Sequence, residues 1–215
     1  MILYGRNLSP FTRRVAIWCA LQGRAVERRE LMVAGADFDE IKAHNPVARV
    51  PILILDDRTH LIETFAICDY LDETAPDGSR LVPERGAARM ACLRRLAVAN
   101  STAEKAVAMV YERNRRPEEL HWRDWQVRVA GQVQGGLAEL DRVVPEEGWS
   151  GEDGPDGGDI AAIIAYQFVE TTNPWLLEPG YPRLAAFTGR GMEVEAIAET
   201  RPAAVSWKPW GKATS

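Results

Sequence analysis

The chain has 215 residues, enough for one large domain or two small ones with a sizeable core, and 46% of them are hydrophobic. Its 26 Lys and Arg are interleaved with 31 Asp and Glu, giving a net charge of −5, so no basic face for a nucleic acid emerges. The longest nearly unbroken apolar run, residues 160–169, is about half of a membrane span and carries Gln167, and the chain opens on a strand pattern rather than a signal peptide, so a cytoplasmic, membrane-free protein is expected.

In chain order, strand and helix patterns alternate over residues 1–76. Residues 2–4 read as a strand, 10 to about 21 as a helix, about 25–31 as a strand and 37–43 as a short helix. Strands at 52–55 and 60–62 flank the turn Asp56-Asp57-Arg58-Thr59, which predicts a hairpin, and a helix follows over 65–73. Such alternation predicts a mixed sheet covered by helices, an α/β domain of thioredoxin-like type. Residues 77–86, rich in Pro and Gly, read as a linker, and residues 87–202 carry helical signals throughout. Trp122, Trp125, Val129, Val133, Leu137, Leu140 and Val144 recur three and four apart, which predicts one buried stripe with the tryptophan pair in the core. Gly131, Gly135 and Gly136 each cost about 1 kcal/mol relative to Ala inside a helix, so close helix packing is expected there. Residues 203–215, with Trp207, Trp210 and Lys212, read as a loose tail.

Cys19, Cys68 and Cys92 have no metal-ligand spacing and fall within apolar helical patterns, so they are expected to be buried hydrophobes and no metal site is expected. None begins the first helix, where a thiolate would be stabilised, which argues against a thiol-disulfide oxidoreductase.

The chemistry concentrates in three places. The segment Asn45-Pro46-Val47-Ala48-Arg49-Val50-Pro51 reads as a turn into a strand; Pro51 is a candidate for a cis bond that would leave the N–H and C=O of Val50 free for an extended ligand. Glu63 and Thr64 open an apolar helix, where unpaired N–H groups and the dipole favour a ligand carboxylate at Thr64 while Glu63 takes an ammonium. Ser9-Pro10 makes a good helix start by itself; the serine hydroxyl could equally donate to a ligand thiolate. Asp156-Gly157-Gly158-Asp159 reads as a structural capping box, and Asn100, Ser101, Thr102 and Glu104 interrupt an apolar helix, facing either solvent or a cleft.

Taken in order over most of the chain, these segments resemble the glutathione transferase superfamily, its serine-type bacterial members in particular. The resemblance implies a thioredoxin-like N-terminal domain followed by an all-α helical domain, glutathione as co-substrate and a homodimer. It implies that Val50, Glu63 and Thr64 hold glutathione and that Ser9 stabilises its thiolate. Arg49, where related sequences often carry lysine, would meet the glycine carboxylate or else be a solvated cation; His44 would assist there or cap helix carbonyls. Phe11, Ser101, Glu104, Met109 and Tyr111, with Trp175, are candidates for a pocket taking a small hydrophobic electrophile. Tyr4 lies too far upstream for the family's tyrosine and is read as packing, and Asp156 stands where the family usually has Ser or Thr. A glutathione-dependent isomerase or dehalogenase, or a non-catalytic glutathione-binding stress module, would carry the same motifs.

Overall fold

In the computed structural model, which describes residues 1–76 and 78–204, β1 (Ile2–Tyr4) pairs in parallel with β2 (Glu27–Arg29) and antiparallel with β3 (Ile52–Ile54). Strand β4 (His60–Ile62) closes the hairpin antiparallel to β3, giving the order β2-β1-β3-β4. The parallel pair needs a crossover, which α1 (Pro10–Leu21) supplies. Strand β2 is shorter than its predicted span because β1 offers only three residues to pair with.

Register sorts the side chains. Leu3 stands opposite Leu53, and Leu53 opposite Leu61, placing all three on the face covered by α1 and α3 (Thr64–Glu73). Tyr4, Ile52 and Ile54 point to the other face, where Ile41 of α2 (Asp37–His44) joins them in a small second core. The packing role expected of Tyr4 is what it has.

Among the described residues, everything after α3 is helical or irregular. The long α4 (Gly86–Arg115), α5 (Arg123–Val143) and α6 (Gly157–Thr172) pack together, followed by α7 (Pro182–Gly191) and α8 (Glu195–Glu199). This is the thioredoxin-like sheet plus helical region that the motifs imply. Helix α6 is central: residues from Gly157 to Ala165 are all buried. No helix among the described residues is long and apolar enough to cross a membrane. Of the expected tail, residues 205–215, including Trp207, Trp210 and Lys212, lie outside the described residues.

The stripe on α5 is buried from Val129 through Leu140, with Val144 as its C-cap, but the tryptophan pair is not in the core. Trp122 is 63% exposed and Trp125 41% exposed. Periodicity assigns a residue to a face, not to the stretch of helix that a neighbour covers, and the first turn of α5 is uncovered. Of the three glycines, only Gly136 is required by packing, since a Cβ there would collide with the Thr102 side chain; Gly131 and Gly135 face open space.

Two buried carboxylate clusters hold the elements together, one joining α1, α3 and the segment before α4, the other joining α4 to α6. Asp72, on α3, accepts from Trp18 Nε1 at 2.8 Å, Gln22 Nε2 at 2.9 Å, Leu81 N at 3.2 Å and Val82 N at 2.8 Å. Asp156 and Asp159 form the expected capping box on α6. Arg95 of α4 pairs with them at 2.6 and 3.4 Å. Gly157 and Gly158 pack so closely on Trp18 and Arg95 that a side chain would collide, which accounts for two residues that otherwise weaken a first turn.

All three cysteines are buried. Loss of hydration pushes the Cys19 thiol up to about 11 and the Cys92 thiol up to about 12, and raises that of Cys68 as well. Because a raised pKa favours the neutral thiol, the native protein should release almost no thiol to Ellman's reagent near neutral pH and all of it in denaturant; prompt native reaction would contradict this. Replacing Asp72 by Ala strands four donors, and with about 1–3 kcal/mol for a buried group left unpaired, Asp72→Ala should lower stability by at least about 3 kcal/mol in urea titration.

Candidate functional site

Two loops meet beside the N-terminus of α1. In the first, Ser9 is the N-cap, its Oγ accepting from Thr12 N at 3.3 Å, with Pro10 opening the helix. In the second, the Asn45 side chain donates to Arg49 O at 2.7 Å and accepts from Val47 N at 2.9 Å, winding residues 45–49 into a tight turn with Ala48 at φ 52°. The Val50–Pro51 bond is cis, as expected. No backbone hydrogen bond of Val50 occurs among the described residues outside regular elements, so its N–H and C=O remain available. Gly5 allows the two loops to touch: at φ 117°, its missing Cβ would lie 2.5 Å from Thr12 Oγ1 and 2.9 Å from Val50 Cβ.

Across the gap, Glu63 is the N-cap of α3 at φ 73°, its Oε2 accepting from Phe65 N at 3.0 Å. A positive φ at a non-glycine residue is costly and tends to occur where function positions the backbone. Thr64, the first residue of α3, is buried at the base of the gap.

These elements enclose two cavities of about 370 Å³ each. The first is lined by Val50, Glu63, Thr64, Arg49, Asn100 and Glu104, among others. It therefore presents two carboxylates, one guanidinium, a buried hydroxyl and a helix N-terminus, the donors and acceptors that suit a zwitterionic peptide with more than one carboxylate. The second is lined by Ser9, Leu8, Arg6, Tyr111, Val107 and Phe168, among others. Phe11, Arg49 and Val50 line both and form the wall between them.

Other predicted residues lie elsewhere. His44 lies between Tyr4 and His60 in tilted and edge-on ring contacts, with centroids 5.1 and 4.9 Å apart, and lines neither cavity. Ser101 is exposed and Met109 is buried in the core; neither lines a cavity. Helical spacing explains both: Asn100 and Glu104 share one face, as do Val107, Val110, Tyr111 and Asn114, and the residues between them turn away. That spacing groups Val107, Val110 and Asn114 with Tyr111, but the sequence does not say which face of the helix meets the cavity. Trp175 sits under the Arg113 guanidinium at 5.1 Å and is also outside the cavities. Arg6 and Arg115 line the second cavity without any motif to announce them.

Residues 3–80 match the family described as glutathione S-transferase, N-terminal domain. A glutathione S-transferase of Methylobacterium radiotolerans, solved with glutathione sulfonate, is 25% identical and superposes with a TM-score of 0.86, covering 96% of this chain and 97% of that one. Residues 3–80 belong to this family, and the chain as a whole has the fold of the glutathione S-transferases. A second glutathione S-transferase, from Methylobacillus flagellatus and solved with glutathione bound, is 28% identical with a TM-score of 0.85, covering 94% of this chain and 99% of that one. Among curated sequences, a probable maleylacetoacetate isomerase of Vibrio cholerae is 38% identical over 93 residues, which is 41% of this chain and 42% of that protein. Across the curated relatives the match spans 39–52% of their length.

The contact of Gly5 with both loops can be tested directly. An alanine there must adopt a strained φ and displace Thr12 or Val50, so Gly5→Ala should cost about 1–3 kcal/mol of stability, measured by urea titration; an unchanged midpoint would mean that the loops do not depend on close approach.

Proposed function

We propose that this protein is a glutathione transferase, joining the glutathione sulfur to a small electrophile. The observation that carries this reading is the shared wall of Phe11, Arg49 and Val50 between two cavities of opposite character. A peptide held in the cavity of Glu63 and Thr64 can extend its thiol past Val50 into the cavity that contains Ser9. In this reading the γ-glutamyl carboxylate takes the N–H and hydroxyl of Thr64, and its ammonium meets Glu63, with Glu104 adding negative charge. Val50 pairs with the cysteinyl unit through its free backbone groups, and Arg49 takes the glycine carboxylate. The similar structures solved with glutathione sulfonate and with glutathione support the choice of ligand.

Ser9 is assigned to the thiolate. A free thiol with a pKa of about 8.5 is mostly neutral at neutral pH, and lowering it by one to two units requires roughly 1.4–2.7 kcal/mol. A hydroxyl hydrogen bond together with the α1 dipole is of that size. The thiolate then attacks the electrophilic carbon, and a leaving group departs with its electron pair or, in an addition, the carbon takes a proton. A cytoplasmic homodimer belongs to the same reading; Phe65 on α3 and Met90 on α4, exposed by 39% and 70%, offer apolar surface for a second copy. Light scattering that gives a single-chain mass would remove the dimer from it.

A glutathione-dependent isomerase is the second reading, favoured by the local identity to the Vibrio cholerae protein. Conjugation consumes glutathione, isomerisation returns it, and reductive dehalogenation oxidises it, so the fate of glutathione during turnover separates them. A binding module would bind glutathione and turn over none.

Losing a hydrogen bond to a charged group costs about 1.5–3 kcal/mol, so Thr64→Ala should weaken glutathione about tenfold or more in calorimetry, and Glu63→Ala should weaken it as well. Unchanged affinities would refute the assignment. For Ser9→Ala, loss of a cap alone predicts about 0.5–2 kcal/mol lower stability with the thiol pKa of bound glutathione unmoved. A thiolate role predicts that this pKa rises by about a unit or more, shifting the rate profile to higher pH; thiolate absorbance titrated in both proteins decides between them.

A further inference from the structure

The cavity that contains Ser9 has an apolar floor, to which Leu8, Leu31, Val107, Val110 and Phe168 contribute, but a cationic rim. Arg6, Arg49 and Arg115 line it, Tyr111 and Asn114 add neutral polar groups, and no Asp or Glu does. This is unusual for a chain of net charge −5. Elsewhere Arg29, Arg94, Arg95, Arg116, Arg142, Arg183 and Arg201 make ion pairs with carboxylates, and Arg13, Arg24, Arg28 and Arg190 donate to carbonyl, hydroxyl or amide oxygens. Among the described residues, Arg6, Arg49 and Arg115 make no ion pair, and Arg115 donates only to Val33 O at 3.4 Å. Arg49 also lines the cavity of Glu63 and Thr64, whereas Arg6 and Arg115 line only the one that contains Ser9. One follows β1 and the other ends α4, so the two approach the cavity from separate parts of the fold.

We propose that the electrophile is an organic acid, a small molecule whose apolar body rests on the cavity floor while its carboxylate is held by Arg6 and Arg115. This deepens the glutathione transferase reading and rests on it. Guanidinium groups match a carboxylate in geometry and charge, and a cavity with one sign of charge and low-dielectric walls concentrates ligands of the opposite sign. A neutral hydrophobic electrophile would gain no charge-assisted hydrogen bond from these guanidinium groups, so the rim selects for the acid. The reacting atoms are unchanged: sulfur forms the new S–C bond while the carboxylate stays intact as a handle.

The test uses S-alkylated glutathiones, which need no turnover. Glutathione, S-(para-carboxybenzyl)glutathione and S-(para-carbamoylbenzyl)glutathione are titrated calorimetrically into the wild-type protein and the Arg6→Gln/Arg115→Gln double variant. The wild type should bind the acid at least tenfold more tightly than the isosteric amide. The double variant should bind the two within about twofold of each other, with its affinity for glutathione unchanged. Equal binding of acid and amide by the wild type overturns the proposal, as does an acid preference that survives in the double variant while glutathione still binds. Failure of the wild type to bind glutathione at all would overturn the transferase reading together with this one, a result distinguishable from the other two.

Discussion

The carboxylate of Asp72 accepts hydrogen bonds from Trp18, Gln22, Leu81 and Val82, and so ties α1, α3 and the segment leading to α4 to a single buried point. A buried charge tolerates such a position only when it is fully hydrogen-bonded, which makes its geometry strict. Leu81, held there, in turn accepts from Gly157 N at 2.6 Å at the start of α6. The sheet region and the helical region are thereby joined through one carboxylate and one carbonyl, and the cavities on either side of the Val50 wall inherit that alignment.

From this joint the candidate site follows as a consequence of placement. Helix α1 is fixed at its C-terminal half by Asp72, and its Arg13 donates to Ile197 O at 2.9 Å and Thr200 Oγ1 at 3.2 Å. Burial, with Arg201 nearby, lowers the Arg13 pKa to about 10, leaving it charged near neutral pH. With α1 held in this way, its N-terminus brings Ser9 to the edge of the turn that carries Val50. Helix α4 runs past both cavities, so one element contributes Asn100 and Glu104 to the first and Val107, Tyr111 and Arg115 to the second. The position of α4 therefore decides both the charge of the peptide cavity and the floor of the other.

The two cavities differ in the sign of their free charge. Glu63 and Glu104 give the peptide cavity its acidic side, balanced by Arg49, while the charged residues lining the other are all arginines. Since the shared wall keeps these fields within one short molecule of each other, a zwitterionic peptide on one side and an anion on the other satisfy both without competing for the same groups.

Much of this was legible in the sequence because it is local. Alternation and turn chemistry identified the strands and first helices, and the cis Val50–Pro51 bond, the Glu63-Thr64 helix start and the Asp156–Asp159 capping box each depend on neighbours within a few residues. Helical periodicity identified the stripe on α5 but not how much of it a neighbour covers, and so Trp122 and Trp125 were expected inside while they stand exposed. It likewise could not say which face of α4 meets a cavity, which separates Asn100 from Ser101 and Val110 from Met109, nor that Tyr4 and His60 would enclose His44. The sequence by itself determined the order of elements, their caps and the motifs that resemble the family. Only the tertiary structure decided which side chains share a cavity, because residues such as Arg6 and Arg115, which line one rim, lie far apart in the chain, and their coming to one cavity depends on how helices pack rather than on any local pattern.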